Sequence, residues 1–163
     1  MEAIASRLIV ETPLGKIAVC AANGKLVEVG FVADGSLTSF SENDQDAAIT
    51  NQAGLQLEEY FAGKRQSFDL PVSFSGTEFQ LSIWQEIAKI PFGQTASYKD
   101  LAVRIGKPQA ARAVGGAVGS NPIGIIVGCH RVMGSSGKIT GYSGGQGIPT
   151  KVKLLELEGI EYK

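Results

Sequence analysis

The residues best suited to chemistry lie in one short run of the sequence, Cys129-His130-Arg131, which follows Gly128. His130 is the only histidine in the chain. A cysteine thiol beside a base and a cation can act as a nucleophile once its proton is removed. Cysteines are also among the most buried residues, so an inert core thiol is the alternative interpretation.

The elements around this run should give the thiol a rigid support. Ile125, Ile126 and Val127 are apolar and mostly β-branched, which predicts a short buried strand ending just before Cys129. Adjacent residues of an extended chain point to opposite sides. We therefore expect no direct contact between the side chains of Cys129 and His130.

The number and spacing of the cysteines and the single histidine limit the disulfides and metal sites that the chain can form. Cys20 lies in the alternating run 16–20, which is typical of a strand hydrophobe. Two cysteines so far apart in sequence form neither a disulfide framework nor a metal-ligand spacing. One histidine and two cysteines cannot easily build a four-ligand zinc site. We therefore expect a reduced, cytoplasmic protein with no metal and no cofactor.

The composition is that of a globular protein, but its charge is unevenly distributed. The 163 residues carry a formal net charge of −1, and 44% of them are hydrophobic. Residues 1–76 contain 5 basic and 10 acidic residues, whereas residues 77–163 contain 10 basic and 6 acidic residues. This asymmetry favours a second half that meets phosphate, with a solvated basic face as the alternative. No apolar stretch is long enough to span a membrane. Residues 1–4 do not form a basic region followed by an apolar one, so we do not expect export.

The first half has the pattern of a small α/β scaffold. Alternating apolar residues predict three strands, and Asn23-Gly24 is typical of a tight hairpin turn. A helix is expected before Gly63, with a polar loop in front of it and a linker behind it. The predicted strands cover residues 4–11, 16–21 and 25–31, the loop 33–44, the helix 46–61 and the linker 68–76.

The pattern of the second half predicts several helices. Thr77 can cap an amphipathic helix that has Trp84 on its apolar face, and therefore in the core. Ser97 can cap a short helix, and after a turn at residues 106–108 a further helix covers residues 109–119. Two short helices joined by a tight turn are typical of a helix-turn-helix. The glycines of the last helix indicate either a close approach to its backbone or tight packing within its own domain.

The motifs of the second half resemble those of one family in order and spacing, over about half the chain. The chain is similar to the O6-alkylguanine-DNA alkyltransferases, also called methylated-DNA–protein-cysteine methyltransferases. The matching segments are Ile90-Pro91-Phe92-Gly93, Ser97-Tyr98, Ala110-Ala111-Arg112-Ala113-Val114-Gly115, Asn121-Pro122, Cys129-His130-Arg131-Val132, Gly141-Tyr142-Ser143-Gly144-Gly145 and Leu154-Leu155-Glu156-Leu157-Glu158.

The resemblance implies a two-domain α/β fold. A small, ribonuclease-H-like α/β domain is expected at residues 1–70. A mainly helical domain with a winged-helix-like helix-turn-helix is expected at residues 77–163, where it would bind DNA and accept the alkyl group.

The resemblance also implies an activity. A damaged guanine is rotated out of the duplex, and its O6-alkyl group passes to Cys129 in a single turnover. The implied partner is double-stranded DNA with alkylated bases, bound through the minor groove with little sequence preference by a monomer that needs no cofactor. O4-alkylthymine is a further candidate substrate.

The implied site residues fall into three groups by their match to the family motifs. The implied catalytic residues are Cys129, His130, Glu158, Asn121 and Tyr98. The implied DNA-binding residues are Arg112, Tyr98, Lys99, Lys107, Ala111, Gly115 and Ser135. The implied substrate pocket consists of Val127, Gly124, Tyr142, Ser143 and Gly144.

Each implied role has a chemical reason. A water would carry the proton of Cys129 to His130, which Glu158 would orient, as in a base-and-orienter triad. Asn121 would tie the reactive loop to the recognition helix. Arg112 would fill the space left by the flipped nucleotide. Tyr98 would crowd the 3′ phosphate and protonate the leaving guanine.

Two glycines depart from the family pattern. Gly128 stands where the family usually has Pro, which loosens the loop and costs about 1 kcal/mol of stability. Gly124 stands where Pro or Ala is common, and we expect it to widen the pocket for bulkier O6 substituents such as benzyl. The zinc ligands that other members carry near the amino terminus are absent from this sequence.

Two other functions remain open from the sequence. One is a non-catalytic alkyltransferase-like protein that binds lesions, in which the reactive cysteine is typically replaced. The other is a cysteine hydrolase, which needs a separate histidine that converges on the thiol. His130 is the only candidate for that histidine.

Overall fold

The computed structural model describes residues 3–32 and 38–163, which belong to two compact units, Met1–Ser75 and Gly76–Lys163. Residues 33–37 of the predicted polar loop lie outside the described part. None of the described helices is long and apolar enough to cross a membrane.

The first unit is built on a four-stranded antiparallel sheet in the order β3-β2-β1-β4. The strands are β1 (Ser6–Thr12), β2 (Gly15–Ala22), β3 (Lys25–Phe31) and β4 (Phe40–Ser41). The three predicted strands and the hairpin turn are confirmed, and both turn residues, Asn23 and Gly24, have positive φ angles of 52° and 78°. Cys20 is a buried strand residue, as predicted.

One prediction for this unit was wrong. The predicted polar loop contains β4, which pairs with the start of β1. The predicted linker is partly structured, because Pro71 O accepts from Leu26 N at 2.9 Å and Ser73 N donates to Leu26 O at 2.8 Å. Backbone hydrogen bonds to the edge of β3 therefore order a segment whose composition is that of a connector.

Helix α1 (Asp44–Phe61) packs against β1 and β2. It begins two residues earlier than predicted, because the side chain of Asn43 accepts from Asp46 N and caps it. It ends as predicted at Gly63, whose φ of 76° lets Gly63 N and Lys64 N donate to the last carbonyls. Ala53, Leu57 and Tyr60 make its buried face.

The second unit is mainly helical, with α2 (Glu78–Ala88), α3 (Tyr98–Arg104), α4 (Ala111–Gly119) and α5 (Ile148–Leu157). Thr77 and Ser97 form capping boxes at α2 and α3, which confirms both predicted caps. Trp84 lies in the core and donates from Nε1 to Ala117 O at 2.8 Å. A short parallel pair, β5 (Ala96–Ser97) and β6 (Val132–Met133), joins the start of α3 to the segment after the reactive run.

Helices α3 and α4 form the helix-turn-helix, and Gly106 turns the chain between them with a φ of 77°. The second helix begins at Ala111, two residues later than predicted. A Cβ atom at Gly116 or Gly119 would meet no atom within 4 Å, so packing within the domain does not explain these two glycines.

Candidate active site

The segment before Cys129 is a folded loop, so the predicted strand at residues 125–127 was wrong. Ile125 has a φ of 67°, and Ile126 N donates to Gly124 O at 2.7 Å, which closes a γ-turn. A positive φ is strained for a β-branched residue. Ile125 and Val127 are buried and Ile126 is half-buried, but the backbone hydrogen bonds of the run are made within the loop.

A second γ-turn leads directly into the reactive run. Gly128 has a φ of −75° and a ψ of 65°, and Cys129 N donates to Val127 O at 2.8 Å. Residues Cys129–Arg131 then form one turn of 3-10 helix. The chain is therefore not extended at Cys129 and His130, so the argument that their side chains point to opposite sides does not apply.

Asn121 holds this loop through its side chain. Its Nδ2 donates to Val127 O at 2.9 Å and to Ile123 O at 3.3 Å, while its Oδ1 accepts from Ile123 N at 3.0 Å. Hydrogen bonding by Asn121 also favours the thiolate of Cys129. The amide therefore fixes the turn that presents the thiol.

His130 and Glu158 form a buried pair. His130 Nε2 lies 2.6 Å from Glu158 Oε2, and both side chains are fully buried. His130 Nδ1 is also buried, and among residues 3–32 and 38–163 it has no hydrogen-bond partner. Since a carboxylate only accepts hydrogen bonds, the proton of the neutral ring lies on Nε2, and Nδ1 carries a free lone pair. The ring is thus prepared to accept a proton.

The carboxylate of Glu158, at the end of α5, accepts hydrogen bonds from two other segments. Gly93 N donates to Oε1 at 3.0 Å, and Arg131 donates from Nε to Oε1 at 2.8 Å and from Nη2 to Oε2 at 3.1 Å. The sequence suggested Arg131 only as a cation beside the thiol. Its guanidinium instead makes a bidentate bond to a carboxylate far along the chain.

Burial keeps both reacting groups neutral in the free protein. It raises the pKa of the Cys129 thiol, against the opposing effects of Asn121 and Lys151. It lowers the pKa of His130, against the opposing effect of Glu158. Both shifts favour the uncharged forms, a protonated thiol and a neutral imidazole.

Lys151 is a buried neighbour of the site that sequence reasoning missed. Its side chain is 1% exposed, and Nζ donates to Val132 O at 2.7 Å. Its charge favours the thiolate of Cys129. Helical spacing was the available signal, since residue 151 shares the buried face of α5 with Leu154 and Leu155.

A cavity of about 400 Å³ opens beside the thiol. Cys129, Tyr142 and Ser143 line it, and Tyr98 adds its ring while its hydroxyl bonds to Thr140 Oγ1 at 2.6 Å. The remaining lining residues are Gly115, Val118, Gly119 and Gly141.

Three of the five predicted pocket residues are not in the lining. Val127 is buried in the loop, and its carbonyl is occupied by Asn121 and by Cys129 N. Gly124 closes the first γ-turn. Gly144 lies behind the ring of Tyr142, which a Cβ atom there would meet at 2.9 Å.

The predicted DNA-binding residues lie on the helix-turn-helix and the loop after β6. Arg112 is exposed on α4, where Ala111 and Gly115 are half-buried. The other three are all exposed: Lys99 on α3, Lys107 in the turn between the helices, and Ser135 in a 3-10 turn.

Comparison with known proteins identifies the family. Residues 78–160 match the DNA binding domain of 6-O-methylguanine DNA methyltransferase, and residues 7–74 match its ribonuclease-like domain. The chain belongs to this family. It thus combines a ribonuclease-like α/β domain with a helical DNA-binding domain, as its sequence predicted.

This chain matches known members of the family over most of its length. It is 44% identical over 151 residues to the methylated-DNA–protein-cysteine methyltransferase of Methanosarcina barkeri, covering 92% of this chain and 94% of the relative. It is 39% identical to the constitutive enzyme of Bacillus subtilis, covering 94% of both chains. The Mycobacterium tuberculosis OGT in complex with DNA superposes with a TM-score of 0.80 at 43% identity, covering 92% of this chain and 90% of that one.

Lys151 gives a prediction about stability and pH. Burial lowers the pKa of Lys151 from 10.5 to about 8. Between these values the unfolded chain binds more protons at Lys151 than the folded protein does, so this group makes stability rise with pH. The free energy of unfolding of the wild type should therefore increase relative to that of Lys151→Met between about pH 8 and 10.5, as measured by urea denaturation.

The control is Lys153→Met, which removes an exposed lysine from the same helix. The prediction is contradicted if the difference between the wild type and Lys151→Met does not change with pH, or changes no more than the difference between the wild type and Lys153→Met.

Proposed function

We propose that this protein repairs duplex DNA by transferring the alkyl group of O6-alkylguanine to Sγ of Cys129, once per molecule. The observation that carries the proposal is the buried His130–Glu158 pair, whose Nδ1 has no hydrogen-bond partner among the described residues and whose histidine follows directly after the cysteine that lines a cavity. The names of the relatives and the DNA complex of the Mycobacterium tuberculosis protein agree with it. O4-alkylthymine is a second substrate under this proposal.

The chemical step uses protein side chains, the damaged base and water. The Cys129 proton passes through a water to Nδ1 of His130, and sulfur attacks the alkyl carbon. The carbon–oxygen bond breaks, its electron pair goes to the guanine, and Tyr98 protonates the leaving base. The imidazolium proton then restores Tyr98 through solvent. The product is a thioether, which has no leaving group that water can displace, so each molecule acts once.

The substrate must leave the base stack to reach the thiol. Ala111 and Gly115 have no large side chains that protrude from α4, so this helix can lie in the minor groove. Arg112, exposed on the same helix, would fill the space of the flipped nucleotide. Lys99, Lys107 and Ser135 would bind phosphates, which carry no sequence information. We propose that a monomer makes all of these contacts.

The two alternatives lack a supporting observation. A lesion-binding protein without transfer has no need of a free imidazole nitrogen beside a cysteine. A cysteine hydrolase would need a separate histidine that converges on the thiol, and the only histidine of the chain, His130, is paired with Glu158.

Labelled DNA separates these functions. With DNA carrying a labelled O6-methylguanine, we expect one label per protein on Cys129. Cys129→Ser should abolish transfer, because an alcohol is a far weaker nucleophile, while binding of the lesion stays nearly unchanged. Binding without label on the wild-type protein would support the lesion-binding alternative, and repeated turnover would contradict both readings.

Arg112 should matter for extrusion of the base and not for the chemistry. We expect Arg112→Ala to slow transfer from duplex DNA by about ten- to a hundredfold, and to leave transfer from free O6-benzylguanine unchanged. Both rates are measured in single-turnover experiments. Arg65→Ala, which removes one positive charge from the other unit, is the control. Equal losses on duplex DNA and on the free base would contradict this role.

A further inference from the structure

Arg131 is a buried cation beside the site, and the proposed mechanism gives this residue no role. Its guanidinium makes two bonds to Glu158 and a third from Nη1 to Ile90 O at 2.8 Å. The proposed reaction uses Glu158 only to orient His130. The presence of a second partner on the same carboxylate therefore needs its own explanation.

Both oxygens of the Glu158 carboxylate accept hydrogen bonds from neighbouring residues. It accepts from His130 Nε2, from Arg131 Nε and Nη2, and from Gly93 N, all between 2.6 and 3.1 Å. A carboxylate offers about four lone-pair sites, and a guanidinium stays charged at every relevant pH. Arg131 therefore both compensates the negative charge of Glu158 and fixes the direction of its oxygens.

The charged and titratable groups that face His130 are few. Among the described residues they are Glu158, which caps the end of α5, Lys151 on α5, and Arg131, the next residue in the chain. Burial lowers the pKa of His130, Glu158 opposes this effect, and Arg131 and Lys151 reinforce it.

We propose that Arg131 is a positioning residue that keeps the His130–Glu158 pair with a single proton, on Nε2, so that Nδ1 stays free to accept the proton of Cys129. Without Arg131 the buried carboxylate would be uncompensated, and the pair would take up a second proton from solution. That proton would occupy Nδ1 or neutralise Glu158, and either outcome removes the prepared base. The consequence for alkyl transfer rests on the proposed function, whereas the protonation of the pair does not.

Gly128 provides the space that this guanidinium occupies. A Cβ atom at residue 128 would lie 3.0 Å from Arg131 Nη1 and 3.1 Å from its Cδ and Cζ. The φ of −75° is open to any residue, Pro included, so the requirement is one of space and not of backbone freedom. A side chain at residue 128 would therefore require the Arg131 side chain to shift by a few tenths of an ångström, and under this proposal we expect that shift to lengthen its bonds to Glu158.

Nitrogen NMR of the imidazole tests this directly. His130 is the only histidine, so its two ring nitrogens need no assignment against other residues. In the wild type we expect the neutral Nε2–H form at neutral pH. Arg131→Met should raise the midpoint of protonation by about one pH unit or more, a tenfold change in proton affinity. Arg131→Lys should shift it less, since it restores the charge but not the bidentate geometry.

Milder variants keep the test decisive if Arg131→Met is poorly folded. Gly128→Ala should shift the midpoint upward by less than Arg131→Met, and should add nothing in the double variant. Gly30→Ala is the matched control, because a Cβ atom there meets nothing within 4 Å. The indole signal of Trp84, the only tryptophan, reports whether each variant keeps its fold.

The outcomes separate this inference from the proposed function. An unchanged midpoint in folded Arg131→Met and Gly128→Ala would overturn the role of Arg131, even if alkyl transfer occurs. Shifted midpoints without any transfer from O6-methylguanine DNA by the wild type would overturn the proposed function and leave the role of Arg131 standing. If both hold, transfer by Arg131→Met should fall more at pH values below its raised midpoint than at pH values above it.

Discussion

The site depends on one buried carboxylate, that of Glu158. Leaving such a charge unpaired in the interior is costly, so its donors must be in place together. They come from the turn after α2, through Gly93, and from the 3-10 turn, through His130 and Arg131. The end of α5 supplies the carboxylate itself. The network that satisfies Glu158 is therefore also the network that assembles the base.

The reactive cysteine is held by the same kind of long-range polar contact. Asn121 closes the loop before Cys129, and Lys151 bonds to the carbonyl of Val132 after it. Burial raises the pKa of the Cys129 thiol, which favours its protonated form in the free protein. Under the proposed function, His130 removes that proton when a substrate is bound.

Local patterns in the sequence predicted what local forces determine. Capping residues such as Thr77 and Ser97 mark helix starts, and Asn23-Gly24 marks a hairpin, because the stabilising contact lies within a few residues. The run 125–127 was misread because an apolar β-branched segment can be buried without pairing as a strand. The contacts of Arg131 and Lys151 could not be predicted, because their partners lie far along the chain or are backbone carbonyls.

The most direct measurement of the central claim is the single-turnover rate of Glu158→Gln on DNA that contains O6-methylguanine. The substitution keeps the shape of the side chain but removes its charge and one acceptor oxygen. The account predicts that the rate of transfer to Cys129 falls by roughly a hundredfold or more, while affinity for the lesion is unchanged. Transfer at the wild-type rate would contradict it, because the carboxylate would then have no part in preparing the base.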